Sequence, residues 1–335
     1  MTVVETPRRT TTLRIGIIGA GLISPFHADA IRRTPGLALT AVCDTDIGRA
    51  RGLDERAMTF ESWREMLDAG VADAVVVAVP HAAHEEIAAG CGAAGVHVLL
   101  EKPMATTLAG CDRIIEACRG GGAVLAVAHV QRFLPRNVEA RRRIADGELG
   151  DPRFIVDRRT SQYEPGTRPA WFFDGRKSGG GIVMNVGIHC IDRIHYLAGA
   201  RTVRVTAQTS APTGVPVETE AAVILELDNG ATAVVALTGN GGLQSDRTEV
   251  VCSRGAVVVE HDVSGAFRRP EERDDRSEAG ADEVSQAFAA QLEDFRAAVA
   301  QEKAPAASGA DGRLALSTVL AVYESATVGH SVQIN

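Results

Sequence analysis

The stretch that decides the fold is Leu13–Ser24, "LRIGIIGAGLIS". Its first six residues are apolar on both faces apart from one arginine and one glycine, as in a strand covered on both sides of a parallel sheet. The glycines follow at once, as Gly19-x-Gly21-x-x-Ser24. At a strand-to-helix junction this spacing builds a dinucleotide turn. Gly19 makes the tight bend, and Gly21 lets backbone N–H groups approach a pyrophosphate at the helix N-terminus. Ser24 stands where a third glycine is usual and is small enough to keep helix and strand close. Leu22 and Ile23 complete the turn and are expected against the cofactor.

A second residue must cooperate for that reading to hold. "AVCDTD" puts Asp44 at the end of the next apolar run, 23 residues after Gly21. A carboxylate there accepts hydrogen bonds from the adenosine ribose hydroxyls and repels a 2′-phosphate, which favours NAD over NADP. An Asp at a strand end also serves as a helix cap, and Arg49 would tolerate a phosphate, so NADP stays open.

Outward from the turn, short apolar runs alternate with helical segments to about residue 130. The runs are "LALTAVC", "DAVVVAVP", "VHVLLE" and "AVLAVAHV", and "TLAGCDRIIEACRGGG" is a helix stopped by glycines. This indicates an α/β N-terminal Rossmann domain over 12–131. Beyond it "NVEARRRIADGELG" reads as a helix. "AAVILELDNGATAVVALTG" and "TEVVCSRGAVVVEHD" read as hairpins. The region 132–335 is therefore expected to be an α+β C-terminal domain with a mostly antiparallel sheet. The mixed-charge stretch Phe267–Asp282 reads as a loop, and helices are expected near 284–300 and 311–327.

Bulk properties exclude several function classes. With 335 residues, 45% hydrophobic and 23% charged, the chain is an ordinary globular composition long enough for two domains. A net charge of −8 argues against nucleic-acid binding. No apolar run reaches a membrane span. The six cysteines are scattered without C-x-x-C pairs and read as small buried hydrophobes in a reducing compartment. The chain is read as cytoplasmic, with a short disordered tail at "MTVVETPRRTT". His81 and His84 have H-x-x-H spacing but no evident third ligand, so no metal is expected.

Three further segments carry a resemblance. Residues 78–111 contain "EKP" at 101–103 after an apolar run, and "AHVQRFLPRNVEARRRIADGELGDPRFI" comes next. Gly179–Asp192 reads "GGGIVMNVGIHCID", and the chain closes on "FAAQLEDFRAAVAQEKAPAASGADGRLALSTVLAVYESA". In this order, and with the glycine turn, the chain resembles the Gfo/Idh/MocA family (glucose–fructose oxidoreductase and inositol dehydrogenase-like enzymes) along nearly its whole length. The resemblance implies hydride transfer between a nicotinamide and a carbinol carbon of a sugar, nucleotide-linked sugar or cyclitol. It also implies that the mostly antiparallel sheet of the C-terminal domain is large and open, and that the reaction takes place in a cleft between the two domains, in a homodimer or homotetramer.

Alcohol oxidation needs a base for the hydroxyl proton and a donor or positive group on the oxygen. Lys102 is expected to supply the electropositive group, flanked by Glu101 and directed by Pro103. A helix beginning near Met184 would put Asn185 and His189 on one face, with Asp192 a turn further on. By resemblance His189 is the general base or acid and Asn185 a substrate hydrogen-bonding group. Inositol dehydrogenases carry Asp at the position of Asn185, and an amide cannot raise the basicity of the histidine as a carboxylate would. This leans toward hexopyranosides or nucleotide-linked sugars. Pro80 and His84 lie where the family lines the nicotinamide–ribose pocket, with Glu101 and Lys102 beside it. Arg168, Trp171, Tyr163 and Arg132 are further candidates for the cleft. Two alternatives remain at this point: a non-catalytic nucleotide sensor on the same fold, and a relative that holds its cofactor tightly for internal redox.

Overall fold

A computed structural model describes residues 12–212, 214–240, 245–261 and 275–334. The tail expected at 1–11 lies outside these residues. The first part runs β1 (Leu13–Ile18), α1 (Ser24–Arg33), β2 (Leu37–Cys43), α2 (Ile47–Leu53), β3 (Met58–Phe60) and α3 (Trp63–Asp68). It continues with β4 (Ala74–Val77), α4 (His84–Ala93), β5 (His97–Leu100), α5 (Leu108–Gly120) and β6 (Leu125–Val127). All six strands are parallel, in the order β3-β2-β1-β4-β5-β6. Between β1 and β4 the order reverses, which opens a crevice at the strands' carboxyl ends. The short strand β3 is not among the expected elements, because Met-Thr-Phe is too brief for a periodic signal.

The burial of β4 explains why its sequence is a continuous apolar run. Ala74 and Val76 pack with Ile15, Ile17, Ile31, Phe288 and Phe295 on one side of the sheet. Val75 and Val77 pack with Ile87, Cys91, Cys111 and Ile114 on the other. Both faces are covered, so alternation disappears.

The second part comprises α6 (Pro135–Ala145), β7 (Pro152–Thr160), α7 (Gly175–Ser178), α8 (Ile188–Ala198) and β8 (Thr202–Ser210). It goes on through β9 (Glu220–Leu227), β10 (Thr232–Thr238), β11 (Ser245–Cys252) and β12 (Ala256–Glu260). The chain then closes with α9 (Asp275–Val299), α10 (Gly309–Val328) and β13 (Val332–Gln333). Seven strands form an open sheet in the order β12-β11-β7-β10-β9-β8-β13, antiparallel except for the β7–β10 pair. The "DNG" hairpin joins β9 to β10 as expected. Helix α8 lies on the inner face of this sheet.

One expectation is corrected, and one boundary has later chain packed across it. The loop read over 267–282 is helical from Asp275, its first residues to 274 lying outside the described ones. Its Glu and Ala are good helix formers, and mixed charge suits a solvated helix end as well as a loop. The division at 131/132 is also crossed by later chain. Helix α9 inserts Phe288, Leu292 and Phe295 beneath the first sheet, and the amide of Val127 on β6 donates to Ala307 (2.9 Å) just before α10. Among the described residues no helix is long and apolar enough to cross a membrane, and all six cysteines are buried and unpaired.

Candidate functional site

The glycine turn has the geometry a dinucleotide needs. Gly19 has φ +98°, and a Cβ there would stand 2.3 Å from the Ala78 carbonyl. No L side chain fits that conformation or that space. Around Gly21 nothing lies within 4 Å of a notional Cβ, so the backbone faces open space. Helix α1 starts without a side-chain cap and with proline in its first turn. The Ser24 and Phe26 amides are taken by the Gly21 and Ile23 carbonyls, so the N–H groups offered to a pyrophosphate are those of the turn itself, at Gly21–Ile23. Leu22 is 64% exposed at the rim, and Ile23 is half-buried. Ser24 is fully buried, and its hydroxyl donates to the Gly19 carbonyl (2.6 Å), so it braces the turn besides being small. Asp44 accepts from the Ala20 amide (2.7 Å) and the Asp46 amide (2.9 Å). Each carboxylate oxygen has a further lone pair, which leaves capacity for ribose hydroxyls. These residues fit a bound dinucleotide.

The "EKP" loop follows β5 at the edge of the same crevice. Oε1 of Glu101 lies 2.8 Å from Nε2 of the fully buried His27 on α1. Burial pushes the Glu101 carboxyl up, but the hydrogen bond and charge of His27 hold it below the usual carboxylate range. His84 is fully buried too, with Nδ1 2.8 Å from the Pro103 carbonyl and Nε2 2.9 Å from that of Val79. Glu101 and His84, expected to touch cofactor, therefore have their side chains turned into the protein. They clamp the loops that carry Lys102 and the half-buried Pro80. The Lys102–Pro103 peptide bond is cis.

Lys102 is aimed across the cleft. Its Nζ donates to the Asn185 carbonyl (3.0 Å) and to Asn185 Oδ1 (3.3 Å). Burial above all, opposed by the pull of Glu101 and aided by the charges of Arg159 and Arg168, brings its pKa down to about 8. Asn185 sits in a wide π-type turn, Val183–Gly187, and α8 proper begins only at Ile188. Helical backbone thus starts beside the expected Met184, but its first turn is wider than a regular α-helix. Such turns recur at functional sites, and the glycines before it are tightly enclosed: a Cβ on Gly180 would stand 2.0 Å from the Tyr323 hydroxyl. His189 follows Asn185 by four residues and is half-buried. Its Nδ1 is buried without a hydrogen-bond partner among the described residues. Burial, then the positive charge of Lys102, hold its pKa well below the ordinary histidine value. The imidazole is therefore neutral at physiological pH.

On the far bank, Tyr163 is fully buried. Its hydroxyl is buried without a hydrogen-bond partner among the described residues, and burial keeps its pKa high. The Arg168 guanidinium lies 4.2 Å from the Tyr163 ring centroid. Trp171 stacks on Phe172 (3.8 Å) and meets the His81 ring edge-on (4.8 Å), and His81 Nδ1 is 2.7 Å from the Ser178 carbonyl. His81 thus ties the first domain to the aromatic bank of the second.

Asp192 does not join this group. It is 1% exposed, and both its oxygens are taken by Arg132 Nε and Nη2 at 2.6–3.1 Å. Arg132 also bonds Asp311 (3.0 Å), so neither residue reaches substrate. Asp192 stands one turn beyond His189 in the regular part of α8, and it is the pairing with Arg132 that takes it out of the cleft.

Arg159 is a site residue that the sequence reading missed. It lies on the inner face of β7 with Ile155 and Asp157, and its Nη1 stands 3.5 Å from Asp246. The signal was present: in "FIVDRRT" the period of two places Ile155, Asp157 and Arg159 on one face.

A Rossmann crevice, a lysine reaching into it and a histidine-bearing helix from a second open sheet define a nicotinamide-dependent oxidoreductase. Residues 13–129 match the GFO/IDH/MocA oxidoreductase family, described as an NAD-binding Rossmann fold, and residues 137–258 match the GFO/IDH/MocA C-terminal domain. The chain is 32% identical over 258 residues to inositol 2-dehydrogenase 2 of Saccharopolyspora erythraea, covering 74% of this chain and 73% of that one. It is 26% identical to myo-inositol 2-dehydrogenase of Thermotoga maritima, over 96% of this chain and 98% of that one. The crystal structure of an oxidoreductase domain protein from Kribbella flavida superposes with TM-score 0.86 at 25% identity, covering 97% of this chain and 100% of the other. The chain belongs to the GFO/IDH/MocA family of oxidoreductases.

Proposed function

We propose that this protein is an NAD-dependent dehydrogenase that oxidises a secondary alcohol of a sugar, nucleotide-linked sugar or cyclitol, or reduces the matching ketone. The observation that carries this reading is the approach of Lys102 Nζ to Asn185 across the cleft, one helical turn from His189 and in front of the glycine turn. Bound through the Gly19–Ile23 turn, Asp44 and Pro80, NAD would supply the hydride acceptor. The inositol dehydrogenase relatives support the substrate class.

Lys102 is the group whose pKa, about 8, lies nearest working pH. In its amine form Nζ takes the hydroxyl proton, and as an ammonium it donates to the oxygen of the ketone. His189, held neutral, hydrogen-bonds the reacting oxygen, and Asn185 fixes the direction of Nζ. Oxidation therefore rises as pH climbs through about 8, and reduction falls over the same range. Asn185→Asp places a carboxylate beside Nζ, stabilising the ammonium and moving that inflection up by about one pH unit or more. Initial rates of NAD reduction against pH, with a substrate found by screening sugars and cyclitols, measure this. An inflection that stays put in the variant removes the proton role from Lys102.

Self-association fits the outer face of the seven-stranded sheet. Phe154, Val156, Ile224, Val251 and Val258 are all 37–48% exposed there, a large apolar area for a solvated sheet. We assign this face to a contact between copies of the chain. Ile224→Glu is expected to convert the oligomer to monomer in light scattering; a wild-type protein already monomeric at tens of micromolar contradicts the assignment.

A further inference from the structure

We propose that the substrate carries an anionic group, a carboxylate or phosphate attached to the sugar or cyclitol, and that Arg168 together with Arg159 holds it. This rests on the oxidoreductase reading above and adds the charge class of its substrate.

The charges gather around one space. Lys102 reaches Asn185 (3.3 Å), and opposite it the Arg168 guanidinium covers the Tyr163 ring (4.2 Å) and faces the Phe172 ring (5.6 Å), which meets His81 edge-on (5.9 Å). Arg159 lies close enough for its charge to depress the pKa values of both Lys102 and Arg168. Three cations therefore surround the cleft beside an imidazole kept neutral.

Carboxylates that might balance them are committed elsewhere. Glu101 is bonded to His27. Asp157 is held by Arg193 and Thr248, all three being fully buried or nearly so. Asp246 is the exception: it lies 2.6 Å from Arg193 and 3.5 Å from Arg159, so it offsets part of the charge of Arg159 and none of that of Arg168. Glu218 accepts from the Gly181 and Val183 amides and the Tyr323 hydroxyl.

Arg168 itself has no carboxylate in ion-pair reach among the described residues. Its Nη2 donates to Ser161 Oγ (3.2 Å) and to the Gln162 carbonyl (2.7 Å), and its Nε is buried without a partner. Nη1 of Arg159 is likewise buried without a hydrogen bond. Buried donors on a cation are costly to leave unmade. A neutral polyol would offer hydroxyl acceptors but leave the charge standing. A carboxylate or phosphate answers both needs, and the guanidinium fork suits its geometry.

The test compares matched ligands on the enzyme–NADH complex, reading the quench of NADH fluorescence. The pairs are glucuronate against glucose, galacturonate against galactose, and inositol 1-phosphate against myo-inositol. At least one anionic member is expected to bind ten times more tightly than its neutral partner, and the class of that member separates carboxylate from phosphate. In Arg168→Gln the ratio should fall below about two while the NADH Kd is unchanged, and Arg168→Lys should keep part of it. Equal binding within every pair, tighter binding of the neutral members, or no binding of any anionic member overturns the proposal. Failure to bind NADH at all would instead sink the dehydrogenase reading, so the two failures are distinct.

Discussion

Lys102→Ala is expected to lower kcat/KM for alcohol oxidation by about 1000-fold while leaving the Kd for NADH within about fivefold of wild type. The variant removes the one amine that spans the cleft to Asn185. It thereby removes both the proton acceptor and the charge beside the developing oxyanion. Binding of the dinucleotide rests mainly on the Gly19–Ile23 turn and Asp44, which Lys102 does not support. Lys102→Arg separates the two contributions, since a guanidinium keeps the charge but does not release its proton near neutral pH. It should stay far below wild type in oxidation and lose the rise through pH 8. Stopped-flow rates of NAD reduction, with NADH titrations alongside, measure both quantities. An alanine variant that retains more than a tenth of wild-type kcat/KM would show that proton transfer is carried elsewhere, with His189 the next residue to test.

How much of this was legible in the chain depends on the range of the interaction concerned. The glycine turn, Asp44 and the alternation of strands and helices in the first domain follow from local pattern. The φ of Gly19, the open space at Gly21 and the bond from Asp44 to Ala20 all accord with that reading. The hairpins of the second sheet were equally local, because "DNG" sets its own turn.

Direction of side chains was less legible. Glu101 and His84 sit in the segments expected, but their hydrogen bonds to His27, Val79 and Pro103 point them inward. Those bonds depend on where α1 and α4 pack, which spacing does not encode. Asp192 was misplaced because its partner Arg132, 60 residues earlier, takes both its oxygens, a pairing that helical spacing does not encode. Arg159 was overlooked for a similar reason. Period-two alternation put it on the inner face of β7, but a charged residue on a covered face reads as an irregularity until its partner Asp246, 87 residues away, is seen.

Arg193→Met is expected to destabilise the fold by about 3–5 kcal/mol, more than a change at any surface ion pair. Arg193 enters from α8 and is fully enclosed, with Nε and Nη2 each 2.9 Å from Asp157 and Nη1 2.6 Å from Asp246. It is the common cation of two carboxylates on neighbouring strands, so it locks the catalytic helix onto the inner face of the sheet. Removing it leaves Asp157 with the Thr248 hydroxyl and Asp246 with Arg159 at 3.5 Å, both still desolvated. The pH dependence has a definite sign. In the wild type, burial opposes ionisation of Asp246, but Arg159 and Arg193 hold its pKa at about 2. Its contribution is therefore present above the unfolded value of about 3.9 and is lost as pH falls through about 2. In the variant the loss of a cation sends the buried carboxylates upward, so the folded state takes up protons and loses stability as pH rises. The gap between the two proteins should therefore be wider at pH 8 than at pH 5 in urea denaturation. Adding Asp157→Leu to Arg193→Met should recover part of the loss, since one of the stranded charges goes with it. A single variant within about 1 kcal/mol of wild type at pH 8, or a gap that narrows with rising pH, would mean that α8 is held to the sheet by its apolar residues alone.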